Sequence, residues 1–317
     1  MKRKILPITL SFGIILTLII YPDKYLPVLT DGLKIFVVNV LPALLPFFFF
    51  TGLLSNLGTG EILGSALTKP CKKLYNTSGI GGYVFITGML SGYPVSAKVI
   101  SDLVKEKKMT ESDARTVMTY TSTSGPLFIV GSVGTMMLHD KTAGIIILIC
   151  HYLSALLNGL LYRKKGSQCD DNCMLVHKNV DNVLSECAYS AVISVLIAGA
   201  YVTIFYAVAY ILTDLGVVKL IATALSIALD ENIASGIAFG LIEMTGGCLM
   251  LSDCSSIFRL PAICAIISFG GLSVTLQSMT FLEKAKVSPF RYILAKTTQS
   301  IIAFLLTFCA VSLFCPV

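Results

Sequence analysis

Charge is what this sequence has least of. Charged residues make up 13% of 317 positions, about half of the roughly 25% found in soluble domains. Hydrophobic residues make up 55%, and the mean hydropathy is +0.81. That deficit excludes an ordinary soluble domain, and long apolar runs recur from end to end, as in a polytopic helical membrane protein. Basic stretches interleaved with aromatics are also missing, so the net charge of +6 speaks of membrane topology rather than of a nucleic-acid partner. There is no His-Glu-x-x-His, no pair of intramembrane aspartates, no Gly-x-Ser-x-Gly and no phosphate-binding loop. No enzyme and no cofactor are therefore expected. Met1-Lys2-Arg3-Lys4 followed by Ile5 to Ile20 imitates a signal peptide, but no small-x-small cleavage site follows, so an uncleaved first transmembrane helix is expected. Ten cysteines are present. Cys150, Cys248, Cys264, Cys309 and Cys315 fall in or beside apolar runs, where a thiol is a small hydrophobe. Cys169, Cys173 and His177 share a polar loop without a second ligand pair, and no metal is expected there.

What is present is a set of apolar segments that interrupt themselves. Gly79 to Val104 contains Gly88, Gly92, Tyr93 and Pro94. Proline lacks the N–H that the Leu90 carbonyl needs and crowds that carbonyl; Tyr93, before it, is pushed from α geometry. If Pro94 opens a second helix at its first position, the Val95 and Ser96 amides point into the gap with the positive end of a dipole. Lys98 then reaches back toward them. An anion site and a plain kink with Lys98 facing water are both open readings. Ala114 to Leu138 carries Thr119, Thr121, Ser122, Thr123 and Ser124 before Gly125-Pro126. Those hydroxyls either satisfy carbonyls freed by a break or coordinate a polar solute. Ile233 to Leu251 contains Gly240 and then Glu243, a carboxylate at membrane depth, with Thr245, Gly246 and Gly247 after it. It is read as a coupling-proton carrier, a partner of Lys98, a cation ligand, or a cap on a broken helix. Leu260 to Leu282 contains Gly270-Gly271 with Ser273 and Gln277. His151, alone at the start of Thr142 to Tyr162, is read as structural.

The two halves carry the same order of parts. A long helix (Leu33 to Leu57; Ala188 to Leu212) precedes a surface segment (Glu61 to Tyr75; Val217 to Leu229). Two Gly-broken elements follow, Ser91 in the first matching Glu243 in the second, and a last helix closes each half (Thr142 to Tyr162; Tyr292 to Phe314). Pro42 and Pro46 are expected to bend the first of these helices. With the N-terminus inside, Lys24, Lys34, Lys141, Lys219 and Arg259 are outside and the other 19 of 24 Lys and Arg are inside, as the positive-inside rule requires. The expected fold is an all-α polytopic membrane protein with two inverted repeats, whose broken or re-entrant helices meet near the midplane. Residues 1–28 form the first helix, 29–163 the first repeat, 164–187 a cytoplasmic loop and 188–317 the second repeat. The expected substrate site gathers Ser91, Gly92, Tyr93, Val95, Ser96, Lys98, Ser122, Thr123, Ser124, Gly125, Glu243, Thr245, Gly246, Gly271, Ser273 and Gln277.

Gly92-Tyr93-Pro94-Val95-Ser96-Ala97-Lys98, the block from Ser124 to Gly131, and Gly270-Gly271-Leu272-Ser273 together resemble the YlbJ (SpoVV) family of sporulation integral membrane proteins. That family carries the nucleoside-recognition Gate domain. The resemblance implies a protein of the outer forespore membrane that moves dipicolinic acid from mother cell toward forespore. Where the family often has amide side chains before the Ser-Gly-Pro block, this chain has Ser122 and Thr123. The expected partners are an anionic small molecule and the lipid bilayer, with a homo-oligomer left open and no nucleic acid. Nucleoside transport and a non-transport membrane scaffold are the alternatives.

Overall fold

The structure is a computed structural model that describes residues 2–163 and 183–314. Cys169, Cys173 and His177 lie outside these residues. Every described element is helical. α1 spans Lys2–Ile20 and α2 spans Pro22–Ile35. α2 runs through a wider π turn, Phe36–Val40, into α3, Leu41–Asn56. The chain's second long helix thus begins at Pro22, earlier than the apolar run at Leu33, because Pro22 sits at a helix start, where proline costs no hydrogen bond. The π turn lies just ahead of Pro42, with the Leu41 amide donating to the Phe36 carbonyl. Pro46 is carried inside α3, which runs on past it as one helix.

α4 (Thr59–Tyr75) leads to a hairpin of two short helices, α5 (Ile80–Ser91) and α6 (Val95–Lys105). α7 (Glu111–Thr121) follows, then the break at 122–126 and a π-type helix, Leu127–Met137. α8 (Lys141–Leu161) ends the first half. The second half repeats the order. It has α9 (Val183–Asp214), α10 (Val217–Leu225), a hairpin of α11 (Glu231–Gly240) and α12 (Met244–Ser252), the broken pair α13 (Arg259–Phe269) and α14 (Gly271–Leu282), and α15 (Pro289–Phe314). Among the described residues, five helical stretches are long and apolar enough to cross a membrane: Pro22–Leu54, Lys141–Leu161, Val183–Asp214, Arg259–Ala285 and Pro289–Leu313.

The repeats are inverted. Along the pair formed by α2–α3 and α9, Tyr25 bonds Asp214, Gly32 meets Tyr206, Phe36 meets Gly199 and Gly52 meets Cys187. Numbers rise on one helix as they fall on the other, so these equivalent helices run antiparallel. α8 and α15 pack together as the second equivalent pair. Small residues make the first pairing close: a Cβ on Gly199 would sit 2.5 Å from the Phe36 ring and one on Gly32 3.1 Å from Tyr206. Helices in a bilayer gain little from hydrophobicity alone, and such close approach supplies dispersion contacts instead. The exchange between halves is reciprocal as well: α6 packs against α14, and α12 against the Leu127–Met137 helix.

Candidate functional site

The first hairpin turns at Gly92, whose φ of +74° favours glycine. A Cβ there would also lie 2.7 Å from the Gly125 amide. The tip of one broken element therefore rests directly on the break of the next. Pro94 is the residue before α6, not its first helical position, and the Tyr93–Pro94 peptide is cis. The turn folds back so that the Val95 amide donates to the Gly92 carbonyl at 3.2 Å, and it does not open into a gap. Lys98 points away from the tip and donates to Ser190 Oγ on α9 at 3.0 Å. The expected anion cradle of Val95 amide and Lys98 ammonium is not assembled here. Ser91 Oγ is spent on Thr51 Oγ1 at 2.7 Å.

The break at 122–126 is satisfied from other helices. The Ser122 carbonyl accepts from Lys296 Nζ at 2.7 Å, and Ser122 Oγ pairs with the Tyr292 hydroxyl at 2.8 Å. The Ser124 amide donates to His151 Nε2 at 3.0 Å, while Nδ1 of the same ring pairs with Ser268 Oγ at 2.8 Å. Tyr152 donates to the carbonyls of Met89 and Ser124 at 2.9 and 3.2 Å. Asn158 reaches the carbonyls of Thr119 and Ala295. The freed carbonyls thus take side chains of α8 and α15 rather than the break's own hydroxyls. Thr123 Oγ1 is buried without a hydrogen-bond partner. His151 has the structural part expected of it and also joins the two breaks.

The second half closes its breaks chiefly with its own chain. Glu243 precedes α12 and accepts from the Thr245 and Gly246 amides at 3.0 and 2.6 Å. This is a helix cap, in the place that Pro94 holds in the first hairpin; no pairing with Lys98 occurs. Gly270 and Gly271 have φ of +87° and +71°, and the amides of Leu272 and Ser273 donate to the Leu241 and Ile242 carbonyls at 2.9 and 3.1 Å. The first amides of α14 therefore face the second hairpin and are occupied.

Half of the sixteen expected residues meet around one cavity of about 50 Å³: Gly92, Tyr93, Ser124, Gly125, Glu243, Thr245, Ser273 and Gln277. Its apolar side comes from α3, α9 and Phe128. Ser273 Oγ and Gln277 Nε2 are buried there with no hydrogen-bond partner, and buried polar groups are seldom left so. That volume suits a few waters, since a single water needs roughly 10–15 Å³ measured this way. Ser91, Val95, Ser96, Lys98, Ser122, Thr123, Gly246 and Gly271 do not line it. Gly246 lies behind, where a Cβ would meet Phe239 and Tyr206 at 2.7 Å. A larger cavity of about 340 Å³ lies among α9, α10, α11 and α12, bordered by Lys219, Glu231 and Phe239, and none of the expected residues reaches it.

The residue that sequence reading missed is Lys296. It sits in α15 at 2% exposure, holds Ser122 and Gln299, and lies 5.0 Å from the centroid of the Tyr93 ring. Read with Lys284, Lys286 and Arg291 it passes for an inside-loop cation, yet it is within a membrane-crossing helix and drops out of that charge count. Tyr93 completes the junction, its hydroxyl donating to the Ile267 carbonyl at 2.5 Å.

No protein-family model matches the chain. It is similar to the sporulation integral membrane protein YlbJ of Bacillus subtilis (strain 168), with 25% identity across 90% of this chain and 78% of that protein. Among solved structures it is similar to a variant of CNTnw in the intermediate 1 state, with a TM-score of 0.57 over 86% of this chain and 76% of that one. At 14% identity the second likeness is one of fold alone. The chain is thus a multi-pass helical membrane protein whose sequence is similar to YlbJ along nearly its whole length.

Proposed function

We propose that this chain is a transporter of a sporulating cell that carries a small polar metabolite through the junction of its four broken elements. The observation that carries the reading is the meeting of two inverted halves around one buried cavity in which Ser273 Oγ and Gln277 Nε2 lack protein partners. Interrupted helices in corresponding places of two inverted repeats are where transporters bind their solutes. A scaffold has no use for such a cavity, and the residues around it form no nucleophile–base pair an enzyme would need.

The substrate that the resemblance implies is dipicolinic acid, moved toward the forespore across its outer membrane, and we take it as the first solute to test, along with the Gate-type recognition the family is known by. The cavity as it stands suits a few waters, and in this reading one hairpin tip withdraws to admit a ring with two carboxylates. A second reading, an uncharged solute such as a nucleoside, is favoured by one specific observation. The charged side chain lining the cavity is the Glu243 carboxylate, while Lys98 is turned to Ser190.

The test is uptake into vesicles holding the purified protein, with labelled dipicolinate and a nucleoside panel, repeated across pH. Saturable dipicolinate uptake above protein-free vesicles is expected, and Glu243→Gln is expected to flatten its pH profile. Nucleoside uptake alone replaces the first reading by the second. Uptake of neither class ends the transport reading.

A further inference from the structure

Lys296 is the buried charge that the transport reading leaves without a task. Its nitrogen has two oxygen partners, the Ser122 carbonyl and Gln299 Oε1 at 2.7 and 2.8 Å, and the face of Tyr93 beside it. Carbonyl oxygens and an aromatic face are what a cation seeks when it leaves water. The Ser122 carbonyl also has a particular location. It follows Thr121, the last residue of α7, so it belongs to the negative end of that half-helix. In transporters built from discontinuous helices, unwound carbonyls and half-helix C-terminal ends are the places that coordinate a coupling cation.

Here that place is taken by a side chain from the opposite repeat. The two nearby tyrosine hydroxyls and the His151 ring are engaged elsewhere. The Tyr93 hydroxyl donates to Ile267, the Tyr292 hydroxyl pairs with Ser122 Oγ, and His151 bridges Ser124 and Ser268. Glu243 caps α12 and is not a partner of Lys296. Among the described residues no carboxylate pairs with this position, so a free cation would have no counter-charge to retain it, whereas a tethered one is held by its own helix and cannot leave.

We infer that the Lys296 ammonium is a tethered cation filling the half-helix cation position of the first repeat, so that the protein moves its solute without binding a metal cation there. The inference rests on the transport reading of the breaks, but its test needs no flux. Purified wild type, Lys296→Ala and Lys296→Met are melted in detergent with and without n-propylammonium, the fragment that the alanine substitution removes. Tetramethylammonium, too large for the vacated space and without N–H donors, is the control.

Lys296→Ala is expected to melt several degrees below wild type, to recover at least half of that loss in n-propylammonium, and to ignore tetramethylammonium. Wild type is expected to respond to neither. A Lys296→Met protein that melts with wild type overturns the inference, as does equal rescue by both amines. If Lys296→Ala does not fold, Lys296→Arg and Lys296→Gln decide. Arginine keeping the wild-type melting temperature while glutamine loses it supports the tethered charge; the two melting together overturns it. Rescue by n-propylammonium in a protein that takes up neither dipicolinate nor nucleosides removes the transport reading and leaves the tethered cation standing.

Discussion

The break at residues 122–126 is held by side chains that arrive from α8 and α15, whereas the break at Gly270–Gly271 is held chiefly by main chain of its own half, with the Ile267 carbonyl left to Tyr93. Lys296, His151, Tyr152 and Asn158 supply the first. The carbonyls of Leu241 and Ile242 and two positive-φ glycines supply the second. Inverted repeats share a path for the chain without sharing the means of holding it. A main-chain tie survives most side-chain changes but depends on glycine. A side-chain tie tolerates backbone variety but is lost with one residue, leaving a carbonyl unsatisfied where water is scarce.

The largest effect expected from this contrast is at Gly271. A Cβ there would sit 3.0 Å from the Gly240 carbonyl oxygen and 3.1 Å from that of Ile242, at a φ of +71°. Gly271→Val should cost about 3–5 kcal/mol from strain and overpacking together, read as a fall in melting temperature with loss of the folded peak on gel filtration. A valine protein that melts normally would break the main-chain half of the comparison. Next comes Asn158→Leu, which leaves the Thr119 carbonyl without its amide partner, while the Ala295 carbonyl and the Thr298 hydroxyl keep each other. About 1–3 kcal/mol is expected from that one orphaned carbonyl, and an unchanged denaturation midpoint would break the side-chain half.

Lys98→Ala sharpens where the side-chain ties end. Lys98 makes one bond, to Ser190, and does not line the cavity. The loss should stay under about 0.5–1 kcal/mol, with solute affinity unchanged; a tenfold loss of affinity would put the lysine back at the tip. The smallest effect concerns Glu111, which also joins the halves, through Lys286 at 2.7 Å. The Lys286 hydrogen bond and charge hold its carboxyl below the usual range. Its contribution is fully present above the unfolded value of about 4.3 and is lost as pH falls through the lower folded value. A slight drop in melting temperature on acidification, absent in Lys286→Ala, is the expected outcome.

The places where the chain interrupts itself were legible because glycine and proline mark them locally. Gly88–Pro94, Gly125-Pro126, Gly240 and Gly270-Gly271 each fall at or beside an observed break, and the order of parts in each half predicts the inverted repeat. What the broken ends touch was not legible. Lys296 and the carbonyl it holds are 174 residues apart, and no local pattern separates a lysine inside α15 from the loop cations just before it. Lys98 misled for the opposite reason. Its distance along the chain from Pro94 was right for a cradle, but α6 packs against α5, α7 and α14 with Lys98 turned to Ser190 on α9, a tertiary outcome that no local spacing records. Glu243 was legible as an anomaly, an acid in an apolar run, while its use as a cap needed the Thr245 and Gly246 amides in place.

The bond between Lys296 and Ser122 also dictates an order of assembly. Synthesis delivers the N-terminal half first, at about 5–20 residues per second, so the 174 residues between these partners take roughly 10–35 s to make. Through that interval the first break exists in the nascent chain without its cation, and the carbonyl it will hold must be sheltered by the insertion machinery or by water. A helix made long after the first break, α15, is the one that finishes the first half, and a chain stopped short of it would leave the ribosome with both halves begun and neither complete.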